Sequence, residues 1–274
     1  MFENIFNNVS KKHPLVHCVT NYVTVNDCAN ILLAAGAAPI MADDIGEVKE
    51  ITAICNALAL NIGTLNERTI NSMFAAGKEA VRLGHPVILD PVGAGASALR
   101  TDTALRLMNE INFTVIRGNI SEIKTISKGT GTTRGVDADV SDAVTEANLN
   151  EAVRFVKEIS RQKNAVIAVT GAIDIVADSD KAYIIRNGHP MMSRITGTGC
   201  MLNALIAAYC GANTENTLDA VAASVAAMGI CGEIAYEKTV GENGGTGTFR
   251  IRLIDAMSNL DAETFWKRIK VEIR

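Results

Sequence analysis

The sequence predicts an α/β fold with a mostly parallel central sheet and helices on both faces. Three observations carry that expectation. Short β-type runs alternate with segments of helical apolar spacing along most of the chain. Apolar residues make up 48% of the 274 positions and charged residues 20%, enough to bury a large core. No internal repeat and no low-complexity linker divides the chain, so residues 1–274 read as one domain. Alternating strand and helix gives parallel strands in one sheet, because each helix carries the chain back across a sheet face.

The strand-like runs lie at residues 38–42, 57–61, 86–92, 113–119 and 165–171. Between them, residues 23–35, 69–83, 97–111 and 149–161 place apolar side chains at helical spacing. Two further short runs, 174–177 and 182–186, flank Asp178-Ser179-Asp180 and read as a hairpin. Beyond them the chain reads as helical over 200–209, 217–236 and 249–260, with an amphipathic piece at the end. The one long irregular stretch is 128–141, which fits a functional loop and a tolerated surface insertion equally.

A net charge of −4 without a basic cluster argues against nucleic acid as a partner. The first residues lack the basic-then-apolar order of a secretory signal. The most apolar stretches, 165–177 and 220–235, are interrupted or short of the roughly 20 residues that a membrane span needs. Cysteines at 18, 28, 55, 200, 210 and 231 form no C-x-x-C pair, which predicts reduced thiols in a cytoplasmic protein.

Thr196-Gly197-Thr198-Gly199-Cys200 precedes an apolar helix. Such a turn presents backbone N–H groups at a helix N-terminus, where the dipole favours an anion, and its glycines keep Cβ atoms clear of a phosphate. Cys200 at that terminus reads either as a stabilised thiolate or as a small core residue. In the segment 115–122, Asn119 and Glu122 stand three apart, which suits a magnesium ion or, equally, a helix-capping box. Arg117 stands at the same strand end, within reach of a nucleotide phosphate. Asp90 ends an apolar strand, so it faces the crevice where open α/β sheets bind ligands, unless it serves only the turn before Pro91.

Residues 93–98 match a relaxed dinucleotide fingerprint, but the next strand ends in Arg117-Gly118-Asn119 rather than in the acid that takes a ribose. A P-loop sequence is absent. The segment 17–26 sets amides beside apolar residues before a helix, suited to a small ligand or to capping by Asn21 or Asn26. His17 beside Cys18 has no adjacent acid and is a weak nucleophile candidate. Met41, at a strand end, reads as an apolar wall or as core.

Taken in order, residues 14–17, 20–26, 32–42, 58–65, 86–96, 115–123, 168–171 and 196–208 resemble the hydroxyethylthiazole kinase family of the ribokinase-like class over nearly the whole chain. The resemblance implies ATP- and Mg²⁺-dependent phosphorylation of the primary alcohol of 4-methyl-5-(2-hydroxyethyl)thiazole, a step of thiamine biosynthesis. It also implies a homotrimer with substrate pockets at subunit boundaries. By position it puts Asn26, Met41 and Gly197 around the thiazole, Arg117 and Thr170 on the nucleotide, and Asp90 and Glu122 around the magnesium. Cys200 stands where related sugar kinases place a catalytic Asp, and would take the hydroxyl proton late. The N–H groups of Gly197, Thr198, Gly199 and Cys200 would form the anion hole.

Two positions depart from the family's common pattern. His17-Cys18 replaces His-Asn, and Gly245-Thr-Gly-Thr-Phe249 replaces Gly-Pro-Gly-Ser-Phe, which loosens a turn near the expected nucleotide side. Small-residue stretches such as 220–227 fit close packing against a neighbour or burial within one subunit. A kinase for hydroxymethylpyrimidine, another vitamin alcohol or a sugar is the competing enzyme reading. A silent nucleotide-binding regulator is the competing non-enzyme one.

Overall fold

The computed structural model describes residues 2–128 and 143–274, so all of the stretch 128–141 but its first residue lies outside the described residues. Among the described residues nine strands form one sheet: β1 (Leu15–Val19), β2 (Ala38–Ile40), β3 (Ala57–Asn61), β4 (Val87–Asp90), β5 (Val115–Asn119), β6 (Val166–Thr170), β7 (Asp174–Ala177), β8 (Ala182–Ile185) and β9 (Val271–Ile273). Their order across the sheet is β2-β1-β3-β4-β5-β6-β7-β8-β9. Pairing is parallel from β2 to β6 and antiparallel from β6 to β9.

The two-residue period of the strands divides the core into two layers. Ala57, Ala59, Ile88, Val166 and Ala168 face one layer, while Leu58, Leu60, Val87, Leu89, Ile167 and Val169 face the other. Both faces are covered, so the strands read as unbroken apolar runs rather than as alternating ones. The first layer is closed by α1 (Glu3–Lys12), α2 (Val25–Ala34), α8 (Thr198–Ala212), α9 (Thr217–Gly241), α10 (Thr246–Ser258) and α11 (Ala262–Arg268). The second is closed by α3 (Val48–Ile54), α4 (Glu67–Leu83), α5 (Ala98–Glu110), α6 (Ile120–Lys128) and α7 (Leu149–Lys163).

Local chemistry sets the helix ends. Asn66 and Thr69 form a reciprocal capping box at the start of α4, and Gly84 ends that helix in the left-handed region. Ser97 and Asp261 cap α5 and α11 through their side chains. Helix α9 is long and apolar enough to cross a membrane by length and composition, yet 78% of its most apolar window is buried within the fold. Residues 220–227 are therefore internal core, which settles the packing question in favour of burial within the chain.

The structure adds to three readings. Residues 15–19, absent from the strand-like runs above, form the inner strand β1, and its buried His17 makes hydrogen bonds to the Ala42 carbonyl and the Thr52 hydroxyl. Burial lowers the His17 pKa, and with both ring nitrogens engaged it is wiring between β1 and α3 rather than a nucleophile's partner. The amphipathic end is α11 followed by β9, which pairs with β8.

Candidate active site

The parallel register brings the chemistry together. Asn61 pairs across the sheet with Asp90, and Asn119 with Thr170, so four polar residues close four neighbouring strands at one edge. This is the edge where open α/β sheets bind ligands. Gly197, at φ +94°, caps the N-terminus of α8 above it. The first backbone bond of that helix runs from the Met201 N–H to the Gly197 carbonyl, so the N–H groups of Thr198, Gly199 and Cys200 precede the helical ladder.

A buried ion pair occupies the centre. Arg117 Nη1 donates to Asp90 Oδ2 at 3.1 Å, and Arg117 Nη2 donates to Thr170 Oγ1 at 2.8 Å. Burial opposes the charge on Arg117, but Asp90 and Glu122 hold its pKa above the ordinary value. Burial raises the Asp90 carboxyl, against the pull of Arg117 and Asn61. Among the described residues, Asp90 Oδ1 and Arg117 Nε are buried without hydrogen-bond partners.

Glu122 lies beside this pair. Its Oε1 accepts from the Gly93 N–H and its Oε2 from the Asn119 N–H, both at 2.8 Å. The Glu122 N–H in turn donates to Asn119 Oδ1 at 2.8 Å, so the capping-box reading of this pair is realised. Burial, reinforced by the Asp90 charge, pushes the Glu122 carboxyl up to about 7.

The anion turn is tighter than its sequence suggested. A Cβ at Gly197 would lie 2.7 Å from Thr24 Cγ2, and one at Gly199 would lie 2.6 Å from both Nη atoms of Arg117. The two glycines therefore make room for protein neighbours as well as for an anion. The Cys200 thiol is raised, first by burial and then by the Asp90 charge. Of the two readings of Cys200, the stabilised thiolate is therefore not the resting form.

Of the expected residues, Asp90, Asn119, Glu122, Arg117, Thr170 and the 197–200 turn meet at this edge. Met41 is half-buried just beyond β2, and Asn26 is exposed early in α2, where its side chain accepts from Asn30. The approach of Thr24 to Gly197 links that helix start to the turn. Sequence reasoning gave no role to Asn61, although it ends its strand as Asp90 ends the next; that shared position was the available signal. Asp174 was also missed, because its importance depends on a buried turn rather than on a motif.

The donor set suits a divalent cation that arrives with phosphates. Carboxylate oxygens are hard ligands, Asp90 Oδ1 is unpartnered among the described residues, and each Glu122 oxygen retains acceptor capacity beyond its N–H. Among the described residues, no group of three or more His, Cys, Asp or Glu could hold a metal ion by itself.

The architecture is the ribokinase-like α/β fold: a ribokinase-like superfamily protein from Enterococcus faecalis superposes with a TM-score of 0.60 at 12% identity, over 92% of this chain and 88% of that one. Residues 6–263 match the hydroxyethylthiazole kinase family. A hydroxyethylthiazole kinase of Clostridium acetobutylicum is 59% identical over 96% of both chains. The structure of a hydroxyethylthiazole kinase protein from Pyrococcus horikoshii OT3 superposes with a TM-score of 0.89 at 33% identity, covering 100% of this chain and 98% of that one. The chain belongs to the hydroxyethylthiazole kinase family.

Asp174 supplies a test of these electrostatics. It accepts the Gly171 N–H at 2.8 Å beside Thr170, and burial pushes its carboxyl up to about 7 from an ordinary 3.8. Between those values the folded protein keeps a proton that the unfolded chain releases, so its contribution to stability falls as pH rises. Asp174→Asn keeps an acceptor for Gly171 and carries no charge. Its stability relative to the parent should rise from about pH 4 to about pH 8, by on the order of 2 kcal/mol or more in urea unfolding. A pH-independent difference would show that Asp174 does not titrate in this window.

Proposed function

We propose that phosphoryl transfer from ATP to the hydroxyethyl alcohol of the thiazole takes place between the Gly197–Cys200 turn and the Asp90–Glu122 carboxylates. Family membership makes the reaction the phosphorylation of 4-methyl-5-(2-hydroxyethyl)thiazole, whose product serves thiamine synthesis. One observation carries the placement: helix N–H groups and the Arg117 guanidinium face the same strand ends as two buried carboxylates.

Arg117 and Thr170, already hydrogen-bonded to each other, would bind the nucleotide's phosphates. Asn26, Met41 and Gly197 would surround the thiazole. Phosphoryl transfer has a loose transition state, so its barrier falls mainly through positioning and charge stabilisation. The N–H groups at 198–200 and Arg117 supply that stabilisation from fixed places, without reorganisation. Asp90 and Glu122 would hold a magnesium ion, which when bound neutralises phosphate charge. Asn119 has its side-chain oxygen on the Glu122 N–H and would support that carboxylate. Cys200 is protonated at rest and is no standing base: it could take the hydroxyl proton only after releasing its own, which leaves positioning and charge to carry most of the step. A cytoplasmic setting agrees with six cysteines that are all free.

A coupled ADP-release assay should show turnover with the thiazole alcohol and a need for magnesium. Glu122→Gln should stay folded and lose most of that turnover. Release without the thiazole dependence would remove the substrate assignment, and parental metal dependence in Glu122→Gln would remove the metal role.

Cys200→Ala retains the backbone N–H and should lose no more than the lower end of the roughly 100- to 10,000-fold that positioned proton transfer contributes. Cys200→Asp should remain active. A folded Cys200→Ala protein with no detectable turnover, beside an inactive Cys200→Asp, would make the thiol chemically obligatory.

The pocket is proposed to be completed in a homotrimer. Tyr22 and Val23 are 77% and 57% exposed just before Thr24, so apolar surface stands beside the thiazole side of the turn. Light scattering should give three times the chain mass. An active, stable monomer would refute a shared pocket.

A further inference from the structure

The carboxamide of Asn61 has its full hydrogen-bonding capacity engaged within the buried site. Its Oδ1 accepts from the Gly63 N–H at 2.9 Å and from Asn21 Nδ2 at 3.0 Å. Its Nδ2 donates to Asp90 Oδ2 at 3.0 Å and to Cys200 Sγ at 3.3 Å. Two donor hydrogens and two acceptor sites are all that such an amide has. Because a backbone N–H can only donate, Gly63 fixes which end is oxygen and turns the NH₂ toward Asp90 and Cys200.

The same logic fixes Asn21. Its Oδ1 accepts from the Thr24 N–H at 3.1 Å, so its NH₂ faces Asn61 and also donates to Cys200 Sγ at 3.2 Å. Sulfur is a weak acceptor, and two buried amides converging on one thiol is more than packing would require. Both residues are 4% exposed or less, so the clamp is set before any substrate enters.

We propose that Asn61, with Asn21, is a positioning clamp that holds the Cys200 sulfur against the incoming alcohol and in fixed relation to the Asp90 carboxylate. The inference rests on the reading of Cys200 given above and extends it to residues that act through the thiol. Placement matters because the reacting groups gain most of their advantage from being held in a near-attack arrangement. A side chain bonded to both partners links the metal-facing and alcohol-facing sides of the site.

The test is a double-mutant cycle on kcat. Asn61→Ser also disturbs Asp90, so the quantity read is the ratio of its effects with and without the thiol. With Cys200 present, the fall in kcat should be about tenfold larger than in the Cys200→Ala background, within the coupling range of contacting side chains. KM for the thiazole should change little, which a general loosening of the pocket would not give. Thermal melting establishes that each variant is folded. Should Asn61→Ser fail to fold, Asn21→Ser touches the same sulfur without touching Asp90 and carries the same comparison. Equal losses in both backgrounds, while Cys200→Ala itself lowers kcat, would overturn the clamp and leave the Cys200 reading standing. Parental kcat in Cys200→Ala would instead remove the Cys200 reading, and the clamp with it.

Discussion

The buried ion pair between Arg117 and Asp90 is the constraint on which the rest of the site depends. Neither charge could stand alone in this interior, since an unpaired buried ion costs several kcal/mol. Together they require donors and acceptors around them, and the strand register provides these. Asn61 donates to Asp90 from one neighbouring strand, and Thr170 accepts from Arg117 on the other side. The flat guanidinium then demands a residue without Cβ where α8 begins, and Gly199 meets that demand. A loop that looks built for a ligand is also built for the resting protein.

Charge balance in this cluster favours the metal–phosphate pair proposed for it. Asp90 and Glu122 share one nearby arginine, so the second carboxyl is driven up to about 7 by burial and by its neighbour. A cation entering with phosphates would relieve that strain, while the helix N–H groups take the anionic part. The cluster is thus electrostatically suited to the metal–nucleotide complex proposed above.

Much of this was legible in the sequence because strand ends are marked by apolar runs that stop at a polar residue. Asp90 and Asn119 could be placed at one edge from the alternation alone, whereas the 196–200 turn joined them only through the family resemblance. The hairpin of β7 and β8 was equally plain, since Asp178-Ser179-Asp180 interrupts two β-branched runs. Strand β1 was not legible, because His17 and the amides after it suggest a loop. Only the tertiary partners at Ala42 and Thr52 make that histidine a core residue. Asn61 was hidden for a different reason: its role lies in bonds to Cys200 and Asn21, 139 and 40 residues away, which no local pattern encodes. The protonated state of Cys200 was hidden likewise, for it follows from burial and a neighbour's charge rather than from position on the helix.

The two core layers differ in grain, and that difference bears on how the chain can drift over evolutionary time. Helices α8 and α9 meet their neighbours through alanines and glycines, and a Cβ at Gly229 would fall 2.8 Å from the Asn187 backbone. The other layer is filled by Ile, Leu and Phe against Val and Leu of the strands. Bulky cores accept exchanges that conserve volume, because one branched side chain can repack for another. The alanines and glycines of α8 and α9 have almost nothing smaller to trade for, and at Gly229 growth is blocked by main chain. Substitutions should therefore accumulate freely beneath α3 to α7 and rarely at those small-residue positions, so relatives would retain the alanines and glycines of α8 and α9 long after the branched core has changed beyond recognition.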